Sequence, residues 1–63
     1  MPEVYVHLIE GRTIEQKRAL VVAITEAVVL HAKVPPEAVM VEILDVPRHN
    51  KAKGGVLFSD RQK

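Results

Sequence analysis

Two segments of alternating apolar residues, 3–9 and 39–44, are separated by a single long segment of helical character. That spacing constrains the fold more than any other feature. In the first segment Val4, Val6 and Leu8 fall on one side and Tyr5, His7 and Ile9 on the other, which is strand periodicity with both faces largely apolar. In the second, Val39, Val41 and Ile43 alternate with Met40, Glu42 and Leu44. A helix of about 18 residues between two strands supplies the long connection that parallel pairing requires, so the strands are expected side by side and parallel, in a right-handed crossover.

The start of the helix is written locally. Gly11 and Arg12 form a turn, and Thr13 followed by Gln16 fits a capping box, in which the hydroxyl takes the amide of the third helical residue while the glutamine side chain reaches back. Glu15 adds a negative charge in the first turn, where the helix dipole favours it. Pro35 and Pro36 stop the helix, because the residue before a proline is pushed out of the helical region. Residues 45–53 read as a polar, positively charged loop, and Gly54-Gly55 opens a last short strand over residues 56–58 through a bulge or a tight hairpin. The fold class is therefore α+β: one domain over residues 1–63, built as a β-α-β unit with a C-terminal hairpin.

A chain of 63 residues is too small to be self-sufficient on its core alone. At about 60 residues only ~60% of the unfolded surface is buried, and with no cysteine neither disulfides nor a cysteine-based metal site can compensate. Oligomerisation is the expected remedy. The helix supports it: Leu20, Ile24, Ala27 and Val28 make one stripe, yet Val21, Val22 and Val29 lie off it. A helix packed once on a sheet needs an apolar arc of roughly 100°, so the surplus valines are read either as scattered surface residues or as a second face covered by another subunit.

Nine Lys and Arg against eight Asp and Glu give a net charge of +1, too balanced for a nucleic-acid binder. The longest apolar run is far short of a membrane span and no leader pattern opens the chain, so a cytoplasmic protein with no membrane partner is expected. His7, His31 and His49 show no metal-ligand spacing, Ser59 is the only serine, and Gly54-Gly55 lacks the pattern of a phosphate loop. No metal or cofactor is implied.

What remains is Pro2. Removal of Met1 would leave it with a free secondary amine at the start of a strand, a good base when neutral. An ordinary α-amino group titrates near ~7.7–8.0, so a base working at neutrality needs that value lowered. Apolar surroundings would do this, as would a guanidinium such as that of Arg12: one positive charge at about 6 Å and an effective dielectric of about 20 contributes ~3 kcal/mol. By itself, a proline at position 2 reads more simply as a tolerated residue at a frayed end.

Pro2, the segment Leu8-Ile9-Glu10-Gly11-Arg12-Thr13, the following Glu15-Gln16-Lys17-Arg18 and the closing Gly54-Gly55-Val56-Leu57 together resemble the 4-oxalocrotonate tautomerase family over essentially the whole chain. The resemblance implies β-α-β subunits paired into dimers and assembled as a hexamer, a homo-oligomer or a heterohexamer of two chain types. It implies a cofactor-free isomerase of small anionic substrates. In that family the amino-terminal proline shuttles a proton between positions of an enol or dienol acid such as 2-hydroxymuconate, yielding the conjugated 2-oxo acid.

On these matches Pro2 is the general base and then acid, and Arg12 holds a substrate carboxylate, usually from a neighbouring subunit. Two positions depart. Met40 stands where the family carries an arginine on the second strand, and Lys51 stands where it carries an aromatic before the double glycine. Methionine binds no oxyanion; Lys51, Lys53 or Arg48 is the candidate replacement charge from the loop, against the plainer reading of a solvated basic loop whose lysine stems reach water. Two other readings follow from the same residues: water addition to an unsaturated or halogenated acid, and a non-catalytic subunit of a two-chain assembly.

Overall fold

The computed structural model describes residues 2–61. The expected loss of Met1 lies outside the described residues. Strand β1 (Glu3–Ile9) leads through the Gly11 turn into helix α1 (Ile14–Ala32), and a 3₁₀ turn at Pro36–Ala38 leads into strand β2 (Met40–Val46). A second 3₁₀ turn at Arg48–Asn50 precedes the short strands β3 (Ala52–Lys53) and β4 (Val56–Leu57), and a third, at Phe58–Asp60, follows them.

Strands β1 and β2 pair in parallel, with Val4 opposite Val41, Val6 opposite Ile43 and Ile9 opposite Val46. Period two then sorts the side chains. Val4, Val6, Leu8, Val41 and Ile43 are all partly covered, and they share one face of the sheet. The helix supplies Leu20, Ile24 and Val28 at four-residue spacing on its partly covered side.

Thr13 caps the helix as its sequence requires. Its hydroxyl accepts the Gln16 amide at 3.1 Å and the Gln16 side chain accepts the Thr13 amide at 2.9 Å. At the other end the helix stops two residues earlier than the prolines demand. Lys33 takes a left-handed conformation, φ 60°, and its amide bonds the Val29 carbonyl at 3.1 Å.

Several local expectations are corrected. Ala27 is exposed, whereas Val21 and Val29 are partly covered; the large apolar residues that the helix turns outward are Ile14, Val22 and Leu30, at 62%, 52% and 64% exposure. Strand β2 runs on through Asp45 and Val46, because Leu8 and Ile9 extend far enough to pair with them. The stretch 45–53 is consequently strand, 3₁₀ turn and strand rather than open loop. Gly54 and Gly55, at φ 61° and 83°, form the two-residue turn of the β3–β4 hairpin, conformations that a Cβ disfavours.

Among the described residues none is fully buried. The radius of gyration is 14.9 Å, where a compact chain of this length has roughly 11 Å. The accessible surface is 4973 Å², where a compact 7.0 kDa monomer exposes about 4,000 Å². Helix and sheet thus make a half-core, apolar on surfaces that a single chain leaves open.

Candidate active site

Pro2 is anchored rather than frayed. Its carbonyl accepts the Met40 amide at 3.0 Å, which adds a rung to the parallel ladder just before Glu3, and the residue is half-buried. Beyond it, on the face away from the helix, the Tyr5 hydroxyl donates to Glu3. That bond, the charge of the Glu3 carboxylate and, least, that of Glu42 hold the Tyr5 hydroxyl above its usual range, so Tyr5 remains a protonated donor at neutral pH.

Arg12 lies past the opposite end of β1. Gly11 turns the chain there with φ 124°, a conformation that favours glycine. The Arg12 side chain folds back, its Nη1 donating to the Ile9 carbonyl at 3.0 Å. A guanidinium has five N–H donors, so this bond fixes the group while leaving a fork free for an anion. Lys51 follows the 3₁₀ turn that leaves β2, and parallel pairing puts that turn at the same end of the sheet as Arg12. Its backbone is held on both sides: its amide meets the Arg48 carbonyl at 3.5 Å and its carbonyl accepts the Phe58 amide at 2.7 Å.

The structure therefore groups Arg12 with Lys51 and Arg48 at one end of the sheet and sets Pro2 with Met40 at the other. Sequence reading missed the residues that bind the first end together. The Lys17 ammonium pairs with Asp45, tying the first turn of α1 to the end of β2. The Glu10 amide donates to the Val46 carbonyl at 3.0 Å, and the Glu10 carboxylate accepts the Arg48 amide at 3.2 Å. The signal available was the acid immediately before the turning glycine; its partner could not be read from spacing, since the two lie 38 positions apart.

A separate apolar groove of about 510 Å³ runs along the outer side of α1, lined by Val21, Val22, Thr25, Val29, Leu30 and Pro36 with Glu26 at its edge. None of Pro2, Arg12 or Lys51 lines it. Among the described residues no three His, Asp or Glu side chains converge as metal ligands, and no helix is long and apolar enough to cross a membrane.

Comparison with known proteins places this geometry. The family model described as "Tautomerase enzyme" matches residues 2–61. A curated relative from Bradyrhizobium diazoefficiens, named "Probable tautomerase", is 43% identical over 61 residues, which is 97% of this chain and 91% of that protein. Among solved structures, a 4-oxalocrotonate tautomerase homologue superposes with a TM-score of 0.93 at 43% identity, covering 100% of both chains. The heterohexameric 4-oxalocrotonate tautomerase of Chloroflexus aurantiacus superposes with a TM-score of 0.91 at 29% identity, covering 98% of this chain and 100% of that one.

Proposed function

Since the chain belongs to the tautomerase family, we propose that it is a cofactor-independent isomerase of small 2-hydroxydienoic or 2-oxo acids, with Pro2 as the proton-transfer group and Arg12 as the carboxylate clamp. The observation that carries this reading is the anchoring of Pro2 at the head of β1, hydrogen-bonded to Met40, combined with an Arg12 guanidinium that makes one bond, to the Ile9 carbonyl, among the described residues. With Met1 removed, the neutral Pro2 nitrogen takes the proton of the substrate's 2-hydroxyl. The O–H electron pair becomes part of the new C=O bond, and the displaced C=C pair takes the proton back from Pro2 at carbon. The proton count is unchanged and no oxidant or metal enters.

Desolvation and a nearby cation both favour the neutral nitrogen that the first step needs. Within one chain the cations of this set stand at the far end of the strand, so the cation beside Pro2 is supplied by a neighbouring subunit. The open apolar surfaces support the same assembly, with subunits paired as dimers and the dimers grouped as a hexamer. Lys51 acts in the anion-binding group of Arg12, offsetting the absence of a cation at Met40. A homo-oligomer is the simplest form; the heterohexameric relative from Chloroflexus aurantiacus keeps a two-chain form in view.

The test is conversion of 2-hydroxydienoic acids by the purified protein, with its intact mass measured alongside. Loss of the Met1 mass together with activity that disappears in Pro2→Ala supports the reading. A retained Met1, or a fully active Pro2→Ala variant, excludes Pro2 as base.

A further inference from the structure

We infer that Glu10 is a positioning residue for substrate-carboxylate binding, acting as a two-point clasp between the turn that carries Arg12 and the turn that carries Arg48 and Lys51. The inference rests on the reading of Arg12 as the carboxylate clamp and adds to it the group that sets its geometry.

Both bonds of the clasp come from one residue. The Glu10 main chain donates to the Val46 carbonyl at 3.0 Å, and the Glu10 side chain accepts the Arg48 amide at 3.2 Å. Two bonds to positions two residues apart fix the orientation of the second turn as well as its distance. The acceptor answers a specific need. Pro47 has no N–H, so the Arg48 amide is the leading donor of the 3₁₀ turn and has no partner within it, whereas the Asn50 and Lys51 amides bond back to Pro47 and Arg48.

The clasp reaches Arg12 directly. Arg12 Nη1 bonds the carbonyl of Ile9, the residue preceding Glu10, so the guanidinium is referenced to the stretch of backbone that Glu10 locks against β2. It also reaches Lys51, whose amide closes the Arg48–Asn50 turn and whose carbonyl receives Phe58. Glu10 thereby holds in register the guanidinium of Arg12 and the cations of the second turn, which must converge on one carboxylate. Its carboxylate is engaged by the Arg48 amide, between the two turns that carry the anion-binding cations, so its effect is expected in binding rather than in proton transfer.

Steady-state kinetics on a 2-hydroxydienoic acid test this. Glu10→Ala is expected to raise KM about tenfold with kcat within about threefold, and Glu10→Gln, which keeps a carbonyl acceptor, to stay within about threefold of the parent in both. The clasp is also removed from its other side: Arg48→Pro deletes the donated N–H, and the extended conformation of Pro47 before it, ψ 145°, tolerates a following proline. Arg48→Pro is expected to raise KM several-fold beyond Arg48→Ala, which loses the side chain and keeps the amide. The inference is overturned if Glu10→Ala leaves KM unchanged or lowers kcat alone, or if Arg48→Pro matches Arg48→Ala. Should Glu10→Ala fail to fold, the Arg48 pair decides. Parent protein inactive on every such acid, or fully active without Pro2, removes the functional reading itself; an active parent that ignores the clasp removes only the role of Glu10.

Discussion

Pro2 and Arg12 stand off opposite ends of β1: the whole seven-residue strand Glu3–Ile9 lies between them, a length of about 23 Å at ~3.3 Å per residue. A dienoic acid of six carbons is far shorter, so one chain cannot place both groups on one substrate molecule. The proposed site is completed only where the Pro2 end of one subunit meets the Arg12 end of another.

Complementation between two impaired variants, assayed at substrate concentrations well below KM, measures that separation. Pro2→Ala and Arg12→Ala subunits, unfolded together in equal amounts and reassembled, are expected to recover about a quarter of parental activity, because that share of sites pairs an intact Pro2 with an intact Arg12 from a different chain. Sites built within one chain would recover nothing above the two variants alone.

The two residues are expected to separate kinetically. Pro2→Ala should lower kcat by ~10²-fold or more, the usual scale of a lost general base, while Arg12→Ala should act chiefly through KM, by about 10- to 150-fold for a charge-assisted contact of roughly 1.5–3 kcal/mol. Lys51→Ala should raise KM less than Arg12→Ala; unchanged kinetics on every accepted acid would remove Lys51 from the site.

Gly11 offers a backbone test independent of side-chain contacts. A Cβ there would meet no atom within 4 Å, yet φ is 124°. Gly11→Ala is therefore expected to cost about 1–3 kcal/mol through strain alone. Denaturant unfolding at matched protein concentration reads the loss, since assembly ties apparent stability to concentration.

Thr13→Ala removes the hydroxyl half of the capping box and is expected to cost ~1 kcal/mol. Thr13→Ser should retain most of that stability, with thermal unfolding at fixed concentration as the measurement.

Tyr5 is the only tyrosine, so its ultraviolet titration is unambiguous. The Glu3 carboxylate, which accepts its hydroxyl, raises its pKa above the ordinary 10.0. The sign follows: the folded protein holds this proton more tightly than the unfolded chain, so the contribution to stability is complete below pH 10 and falls as pH rises through the folded value. Glu3→Gln is expected to bring the titration down toward 10; an unmoved curve would remove Glu3 as the cause.

Local chemistry was legible in the residues themselves. Thr13 and Gln16 sit three apart and meet through one turn of backbone, so their pairing needs no information from elsewhere. Strand β1 was read at its exact limits because both its faces alternate, and the parallel pairing followed from the length of the intervening helix. The limits of β2 were not legible, since Asp45 and Val46 become strand only through Leu8 and Ile9 across the sheet. The resemblance carried the family, named Pro2 and Arg12 and implied that Arg12 reaches the site from a neighbouring subunit; it was silent on what holds the Arg12 turn in place.

The sequence by itself determined the element order, the helix cap, the parallel pair and the family, because each depends on contacts within a few residues or on the length of a connection. Only the tertiary structure decided that Glu10 joins Val46 and Arg48, that Lys17 meets Asp45, and that the turn carrying Arg48 and Lys51 lies at the Arg12 end of the sheet. Those relations arise when strand register brings distant residues into hydrogen-bonding range, and register is a property of two segments together that neither one encodes alone.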